Sequence, residues 1–396
     1  MDIQLAERVQ RVKPSPTMAV TTRAAEMRAA GHDIIGLGAG EPDFDTPQHI
    51  SEAAIEAIRA GETRYTAVDG TPALKQAIQA KFERDNGLAY EPGQILVSSG
   101  AKQSLYNLFT ALLNPGDEVV IPAPYWVSYP DMVLLADGVP RIIAADQLQR
   151  FKITPEQLAN AIGERTRVVV LNSPSNPTGT AYTRAELEAL GEVLRRHPNV
   201  LIASDDIYEP ILWTDEAFSN IAMACPDLVD RTIVVNGVSK AYAMTGWRIG
   251  YAAGPAKVIG AMKKIQSQST SNPSSISQAA SVAALDGDQG VIGPMVKAFR
   301  ERHDYVVDRL NAMRGVSCIR GDGTFYAYPD VSGAIAAIDD VETDTELAEY
   351  LIGEANVALV PGTAFGLAGH VRISYATSME NLEKAMDRLE GVFGRD

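Results

Sequence analysis

Lys240 is the residue of this 396-residue sequence whose setting most favours covalent chemistry. It follows the apolar run Thr232-Ile-Val-Val and the segment Asn236-Gly-Val-Ser. A lysine amine attacks a carbonyl only after losing its proton, and desolvation at a crowded strand end favours that loss. Most lysines lie at solvated surfaces, but the nearby Gly246-Trp247 is a poor choice for such a surface. We therefore predict that Lys240 forms a Schiff base.

Five apolar runs in the middle of the sequence each lead into a short segment rich in polar, aromatic, glycine or proline residues. In open α/β sheets, ligands bind beyond the carboxyl ends of the strands. We therefore predict that the five segments meet at one edge of a sheet and form the functional site. The segments are Ser98-Ser-Gly-Ala-Lys102, Pro122-Ala-Pro-Tyr-Trp126, Asn172-Ser-Pro-Ser-Asn-Pro-Thr-Gly179, Ser204-Asp-Asp-Ile-Tyr208 and Asn236-Gly-Val-Ser-Lys240.

The alternation of these runs with helical patterns predicts an α/β fold with a mostly parallel, doubly wound sheet. Nearly continuous apolar runs such as Arg167-Val-Val-Val-Leu suit strands that are covered on both faces. Two helix starts are marked by capping boxes, Thr154 with Gln157 and Thr183 with Glu186. We predict that residues 46–288 form this large domain.

Residues 289–396 are predicted to form a smaller α+β domain. A long charged helical stretch precedes the strand-like segments Thr324-Phe-Tyr-Ala-Tyr and Val371-Arg-Ile-Ser-Tyr, and a final helix begins at about Met379. Residues 1–45 precede the sheet and have no strand partners there. We therefore expect this N-terminal arm to contribute part of the small domain.

The sequence carries 35 basic and 50 acidic residues, a formal net charge of −15. An acidic surface repels phosphate backbones and anionic lipids, so we expect neither nucleic acid nor a membrane as a partner. No apolar run approaches the ~20 residues that a membrane helix needs. Cys225 and Cys318 form no CxxC pair, and the five histidines never fall at ligand spacing, so we predict no metal site. These features favour a cytoplasmic enzyme.

The segment Ser239-Lys240, followed by Met244-Thr-Gly-Trp-Arg248-Ile-Gly, resembles the lysine signature of class I aminotransferases, the aspartate aminotransferase family. The resemblance implies the type I fold of pyridoxal-phosphate-dependent transferases. It also implies pyridoxal 5'-phosphate as cofactor and a ping-pong reaction that alternates between its pyridoxal and pyridoxamine forms. Similarity extends over nearly the whole chain, through the ordered motifs Gly40-Glu-Pro-Asp-Phe-Asp-Thr-Pro47, Tyr65, Asn172 to Gly179, Asp205 to Tyr208, Pro361-Gly-Thr and Arg372-Ile-Ser-Tyr.

The resemblance assigns catalytic roles to three residues. Lys240 would remove the substrate Cα proton and return it to the cofactor. Asp205 would pair with the pyridine nitrogen and keep the ring protonated as an electron sink. Its neighbour Asp206, where the family commonly has glutamate, is the weaker candidate for this contact. Tyr208, together with Asn176, would hydrogen-bond the phenolic oxygen of the ring.

The cofactor phosphate would be bound at the start of a helix, where backbone amides and the helix dipole favour an anion. The family often has a second serine two positions before Ser239, but this sequence has Gly237, so one contact is absent or replaced by backbone. Tyr65 resembles a tyrosine that reaches the phosphate of the neighbouring subunit, which implies a homodimer with a shared active site. The remaining phosphate ligands that the resemblance implies are Gly100, Ala101, Lys102, Ser239 and Arg248.

Arg372 would bind the α-carboxylate of the amino-acid substrate, because a guanidinium pairs with a carboxylate through two parallel hydrogen bonds. Asn176 and the backbone of Gly40 would complete this pocket. Trp126 would stack on the cofactor ring and line the substrate pocket. A surface ion pair is the usual fate of a single arginine, but the strand-like, half-polar flanks of Arg372 favour an inward position.

Lys102 and the stretch Lys13-Pro-Ser15-Pro-Thr17 resemble a subgroup in which this lysine and N-terminal hydroxyls hold the distal carboxylate of the substrate. A neutral substrate side chain would leave Lys102 buried and unpaired, so a cation here selects dicarboxylates. The prediction is amino-group exchange between aspartate or glutamate and their 2-oxo acids. Relatives with the same residues also transaminate prephenate, so dual aspartate–prephenate use stays open.

Three rival functions differ in what the sequence should contain. A nicotinamide dehydrogenase is suggested by Gly36-Leu-Gly38-Ala-Gly40, but Glu41 and Pro42 follow where a glycine and a helix should stand. Effector-binding modules of transcription regulators carry a basic helix-turn-helix extension, whereas this sequence has a short N-terminal arm and a negative charge. A β-lyase of the same fold shares most of the motifs and stays an alternative.

Overall fold

The structure is a computed structural model that describes residues 3–14 and 16–395, with only the backbone described at positions 16 and 17. The strands of the described chain are β1 (Ile35–Gly36), β2 (Ile95–Ser98), β3 (Glu118–Ala123), β4 (Val139–Ala144), β5 (Thr166–Asn172), β6 (Leu201–Asp205), β7 (Thr232–Gly237), β8 (Gly250–Ala253), β9 (Tyr326–Ala327), β10 (Val357–Ala358), β11 (Val360–Pro361) and β12 (Val371–Ser374).

Helices connect these strands, and both predicted capping boxes are confirmed at Thr154 and Thr183. Within the described residues no helix is long and apolar enough to cross a membrane. The helices are α1 (Glu7–Gln10), α2 (Pro16–Ala29), α3 (Gln48–Arg59), α4 (Pro72–Lys81), α5 (Ala101–Leu112), α6 (Ser128–Leu135), α7 (Pro155–Ala161), α8 (Arg184–Arg195), α9 (Ile221–Ala224), α10 (Ala256–Ser267), α11 (Ser275–Asp286), α12 (Ile292–Asn311), α13 (Ser332–Ile335), α14 (Asp344–Glu354) and α15 (Met379–Phe393).

A central sheet of seven strands organises the described part of the chain, in the order β2-β8-β7-β6-β5-β3-β4. Strands β4, β3, β5, β6 and β7 are parallel, and β8 runs antiparallel to both of its neighbours. The mostly parallel sheet predicted from the sequence is therefore confirmed. Because the carboxyl ends of parallel strands point the same way, the segments that follow β5, β6 and β7 emerge at one edge.

Both faces of the sheet are covered, and β2 shows how its pleat divides the core. Leu96 packs on the face that carries the α5 side chains, whereas Ile95 and Val97 pack on the face that carries those of α4 and α11. Alternate residues of a strand point to opposite faces, so a continuous apolar run is needed to fill both layers. Burial of one such side chain contributes about 1.5–3 kcal/mol.

The C-terminal part of the chain builds a separate core around α12 and α15 and a small sheet in the order β11-β12-β9. The N-terminal segment packs here, because β1 pairs in parallel with β10 and Ile34 lies against Ile352. The predicted final helix is confirmed, since α15 begins at Met379. This unit lies against the carboxyl edge of the central sheet, where Tyr326 contacts Tyr208.

Candidate active site

A cavity of about 480 Å³ opens at the carboxyl edge of the central sheet, between the sheet and the C-terminal unit. The structure brings most of the predicted site residues to its wall. These are Gly40, Ala101, Lys102, Trp126, Asn176, Asp205, Tyr208, Ser239, Lys240, Arg248 and Arg372. A second cavity of about 360 Å³, beside Arg150 and Tyr182, contains none of them. The larger cavity is therefore the candidate active site.

Lys240 projects into the cavity from the loop after β7. Its Nζ donates a hydrogen bond to the carbonyl oxygen of Gly40 at 2.5 Å and lies 5.9 Å from the ring centre of Tyr208. Burial, together with the positive charges of Arg372 and Arg248, lowers the pKa of Lys240 to about 8. An appreciable fraction of this amine is thus unprotonated near neutral pH, which is the state that attacks a carbonyl.

Asp205 is the last residue of β6, and its side chain is buried at the cavity wall. Oδ2 accepts a hydrogen bond from the Tyr129 hydroxyl at 2.5 Å, and the backbone oxygen accepts one from Asn172 Nδ2 at 2.8 Å. Burial raises the pKa of Asp205 to about 6, although the Tyr129 hydrogen bond opposes this rise. A cationic N–H donor from a ligand in the cavity would relieve the cost of burying this charge.

Asp206 points away from the cavity, as neighbouring residues of an extended strand end do. Its carboxylate accepts hydrogen bonds from Ser204 Oγ at 2.7 Å and Asn220 Nδ2 at 2.6 Å. Burial and the nearby charge of Glu209 raise the pKa of Asp206 to about 7. Of the two adjacent carboxylates, that of Asp205 therefore faces the cavity and that of Asp206 faces the protein interior.

An anion-binding cradle forms where the N-terminus of α5 lies beside Arg248. Gly100 precedes the helix with φ of +91°, and a Cβ there would lie 2.5 Å from Arg248 Nη2. A Cβ on Gly250 would lie 2.1 Å from the backbone nitrogen of Ala101. Both glycines are therefore required for this close approach. The first-turn amides of α5 have no partner within the helix, so the cradle fits a phosphate group.

Gly237, which stands where the family often has a serine, is explained by steric crowding in this chain. A Cβ at this position would lie 2.9 Å from the carbonyl oxygen of Ile249 and 3.0 Å from the Cα of Gly250. Strands β7 and β8 pair at this point, with Gly237 opposite Gly250. A serine here would push the two strands apart, which accounts for the glycine.

Arg372 is buried on β12 and faces the cavity, which excludes a surface ion pair. Its Nη1 donates to Asn176 Oδ1 at 3.0 Å, and its Nη2 donates to the carbonyl oxygen of Gly38 at 2.7 Å. The guanidinium lies 4.5 Å from the ring centre of Tyr326. Among the described atoms its Nε has no acceptor. A carboxylate entering the cavity would pair with the N–H groups of Nη1 and Nη2 that the Asn176 and Gly38 oxygens do not use.

Tyr129 and Tyr326 line the cavity, but the sequence did not mark them as site residues; Asn172, which also lines it, was predicted only as part of a segment, with no role of its own. Tyr326 shares a hydroxyl–hydroxyl hydrogen bond of 2.9 Å with Tyr208. Tyr129 stands three residues after Trp126, and its ring packs edge-on against the Trp126 ring at 5.3 Å. The turn that leads into α6 brings the two rings together, since the Tyr129 backbone nitrogen donates to the Trp126 carbonyl oxygen at 3.0 Å. The spacing of three residues was a signal available in the sequence.

Several predicted residues do not join the cavity in this chain. Tyr65 is 93% exposed and lies away from it. Lys13 is exposed and affects the pKa of Asp131 instead. The predictions for Ser15 and for the side chain of Thr17 lie outside the described residues.

The prediction that Lys102 is buried is wrong. The residue lies on the first turn of α5, at the cavity mouth, where it is solvent-exposed. Its Nζ lies 4.9 Å from the ring centre of Trp126, so the aliphatic stem covers the indole while the ammonium reaches water. Partial burial and the charge of Arg248 nevertheless lower the pKa of Lys102.

The sequence matches a known protein family and close relatives within it. The model for aminotransferases of class I and II matches residues 32–389. The aspartate/prephenate aminotransferase of Nitrosomonas europaea is 57% identical over 98% of this chain and 100% of its own. The aspartate aminotransferase of Geobacillus stearothermophilus is 52% identical, with 98% of each chain covered.

Solved structures of aspartate aminotransferases share the fold. The one from Rhizobium meliloti is 50% identical, with a TM-score of 0.96 and both chains fully covered at 100%. The one from Thermus thermophilus with maleate is 44% identical, with a TM-score of 0.93, covering 99% of this chain and 100% of its own. The predicted type I fold and family resemblance are thereby confirmed. This chain belongs to the class I and II aminotransferases, which use pyridoxal phosphate as cofactor.

Proposed function

We propose that this enzyme transfers an amino group between aspartate or glutamate and their 2-oxo acids in a ping-pong reaction. The observation that carries the proposal is the arrangement of one cavity, in which a desolvated Lys240 lies between the buried carboxyl of Asp205 and the buried guanidinium of Arg372. Two relatives named aspartate aminotransferase, 51% and 52% identical over nearly their full length, support the choice of substrate.

The residues around the cavity fit pyridoxal phosphate. We assign the phosphate to the cradle made by the α5 amides at Gly100, Ala101 and Lys102, with Arg248 and Ser239 beside it. Asp205 would accept the pyridinium N–H, and Trp126 would lie against the ring. Asn176 and Tyr208 would donate to the phenolic oxygen. When bound, the cofactor supplies an electron-withdrawing ring that makes the substrate Cα–H acidic.

Lys240 has two tasks in this proposal. It holds the cofactor covalently between turnovers, and once displaced by the substrate amine it moves the Cα proton as general base and then as general acid. Its lowered pKa, about 8, suits both tasks, because the amine can lose and regain a proton near neutral pH. The hydrogen bond to the Gly40 carbonyl oxygen keeps the amine over the cavity.

Arg372 would orient the substrate. Asn176 and the Gly38 carbonyl oxygen each accept one hydrogen bond from the guanidinium, which leaves the other N–H groups of Nη1 and Nη2 for the α-carboxylate. A side chain fixed before binding loses little entropy on pairing. Fixing the carboxylate in turn sets the direction of the Cα–H bond toward Lys240.

Lys102 would hold the distal carboxylate at the cavity mouth, with Lys13, Ser15 and Thr17 of the N-terminal arm. Its position over Trp126 supports this role, because the ammonium stands at the mouth of the cavity. Use of prephenate is the second candidate function, supported by two relatives named aspartate/prephenate aminotransferase at 57% identity.

The assembly proposed is a homodimer in which Tyr65 completes the phosphate site of the partner subunit. Its exposed ring and the exposed apolar side chains Ile55 and Ile58 on α3 support an interface on this side. We also propose domain limits at residues 1–45, 46–288 and 289–396. A cytoplasmic location remains part of the proposal and rests on the acidic composition.

The test is the absorbance spectrum of the cofactor-loaded enzyme before and after addition of single amino acids. Aspartate and glutamate should convert the visible cofactor band to the pyridoxamine band, whereas alanine and phenylalanine should not. Conversion by arogenate as well would establish dual aspartate–prephenate use. If no amino acid converts the band, transamination is the wrong reaction, and release of ammonia would then indicate a lyase.

A further inference from the structure

We propose that Gln266 and Gln278, two fully buried glutamines outside the cavity, are positioning residues that fix the loop 65–71 so that Tyr65 is presented to the partner subunit. This inference rests on the proposed homodimer and deepens it. Both side chains are 0% exposed, although glutamine is usually found at surfaces. Their hydrogen bonds converge on the loop from two different helices.

Gln278, on α11, holds the two flanks of the loop. Its Oε1 accepts a hydrogen bond from the backbone nitrogen of Thr71 at 2.8 Å. Its Nε2 donates to Thr66 Oγ1 at 3.1 Å and to the carbonyl oxygen of Pro273 at 3.0 Å. The side-chain amide of Gln278 thus links Thr66, which follows Tyr65, to Thr71, which precedes α4.

Gln266, on α10, holds the middle of the loop. Its Nε2 donates to the carbonyl oxygens of Val68 and Val97, each at 2.8 Å, and its Oε1 accepts from Asn107 Nδ2 at 3.0 Å. Asn107 belongs to α5, whose first turn forms the phosphate cradle of the same chain. The loop that carries Tyr65 is therefore fixed to the helix that binds the chain's own phosphate.

Backbone packing completes the restraint. Gly70 has φ of +105°, and a Cβ there would lie 2.4 Å from Val97 Cγ2, so the loop lies directly on β2. Asp69 accepts a hydrogen bond at its backbone oxygen from Val97 at 3.1 Å, and its carboxylate pairs with Lys263 at 3.0 Å. Tyr65 is 93% exposed, but the backbone that carries it is restrained. Insertion of its ring into a partner subunit would therefore cost little conformational entropy of the loop.

The experiment measures the rate at which cofactor leaves the loaded enzyme, after its mass in solution has been determined. Tyr65→Phe should release cofactor about tenfold faster, because a hydrogen bond to a charged group is lost. Gln278→Met should release it about threefold faster, since the loop becomes mobile. Ser281→Ala, which removes a buried hydrogen bond of 2.8 Å one turn away on the same helix, is the matched control and should not change the rate.

The double variant Tyr65→Phe/Gln278→Met separates positioning from general weakening. If Gln278 acts through Tyr65, the double variant releases cofactor no faster than Tyr65→Phe alone. Rates that multiply, or a Gln278→Met rate equal to that of Ser281→Ala, would overturn the inference while leaving the proposed function intact. A monomeric enzyme, or an unchanged rate for Tyr65→Phe, would instead refute the shared site itself.

Hydrogen exchange of the cofactor-free protein gives a readout independent of the loaded enzyme. The peptide that contains residues 65–71 should exchange faster in Gln278→Met than in Ser281→Ala. Thr66→Val keeps the glutamine and removes its acceptor on the loop, together with the exposed hydrogen bond from the Thr66 hydroxyl to the Ala67 carbonyl oxygen, so it serves if Gln278→Met does not fold. Gln266→Met should speed exchange of the same peptide, because the hydrogen bond to the Val68 carbonyl oxygen is lost. Unchanged exchange in both Gln278→Met and Gln266→Met would show that the glutamines do not restrain the loop.

Discussion

Asp205 and Asp206 are neighbours in the sequence, but they belong to two buried polar clusters of different character. The open cluster is Asp205, Lys240 and Arg372, and it faces the cavity. The closed cluster lies on the other side of the strand end and consists of Lys81, Asn86, Asp206, Glu209 and Asn236, with Ser204 and Asn220.

In the closed cluster each carboxylate oxygen has a donor. Glu209 accepts from Lys81 Nζ at 2.5 Å, from Asn236 Nδ2 at 2.7 Å and from Asn86 Nδ2 at 2.7 Å. A π-helical turn, Phe82–Asn86, follows α4 and brings both Lys81 and Asn86 onto Glu209. Such turns insert one extra residue and are often retained for a specific contact.

In the open cluster hydrogen-bonding capacity is left over. The Nε of Arg372 has no acceptor among the described atoms, and within the same part of the chain Lys240 Nζ donates a single hydrogen bond, to the Gly40 carbonyl oxygen. Unused capacity is costly inside a protein unless a ligand satisfies it. The comparison teaches that burial alone does not mark a functional charge. A functional charge is buried and also incompletely paired beside a cavity.

The largest contrast is expected between the two lysines. Lys240→Ala should lower kcat by at least about 10⁴-fold, because both covalent attachment and proton transfer are lost. Lys81→Met should keep kcat per folded molecule within about twofold but lower the free energy of unfolding by about 3–5 kcal/mol, since Glu209 is left buried without its cation. Steady-state kinetics and urea denaturation measure the two effects. Normal turnover by Lys240→Ala would contradict the assignment of the open cluster.

Variants of the two aspartates should show the same contrast as those of the two lysines, a kinetic loss for Asp205 and a stability loss for Asp206, but with smaller effects. Asp205→Asn should reduce kcat/KM by about a hundredfold, because a charge-assisted hydrogen bond to the cofactor ring is lost. Asp206→Asn should reduce it by less than about threefold and instead cost about 1–3 kcal/mol of stability, since its new amide would face the donor of Asn220. Equal kinetic losses in both variants would mean that the clusters are not functionally distinct.

The sequence predicted the open cluster well for a physical reason. Asp205 and Lys240 end or follow buried parallel strands, and topology alone brings such positions to one edge. The closed cluster could not be predicted, because Lys81 and Glu209 lie 128 residues apart and meet only through the π-helical turn. Tyr326 was missed similarly, since it reaches Tyr208 from the C-terminal unit, 118 residues away.

Arg372→Lys should raise KM for every amino-acid substrate by about tenfold, because an ammonium cannot reproduce the planar fork. Lys102→Met is the matched change at the cavity mouth. It should raise KM for aspartate and glutamate alone, by less than about tenfold because the side chain is exposed to solvent. An unchanged KM for both aspartate and glutamate in Lys102→Met would remove Lys102 from the substrate-selecting groups.

The smallest expected effect is a pH dependence of the open cluster in the cofactor-free protein. Acylation of Lys240 by an amine reagent, followed by mass spectrometry, should have a midpoint near pH 8, because burial and two arginines lower its pKa. The folded pKa lies below the ordinary value of 10.5, so between these values the unfolded chain binds a proton that the folded chain does not. The contribution of this group to stability is therefore unfavourable below pH 8, and the penalty is relieved as the pH rises toward 10.5.

Asp205→Asn should lower the midpoint of Lys240 acylation further, since the Asp205 charge favours the ammonium form, whereas Asp206→Asn should leave this midpoint unchanged. A midpoint near 10.5 in the unmodified protein would show that the cavity does not desolvate Lys240.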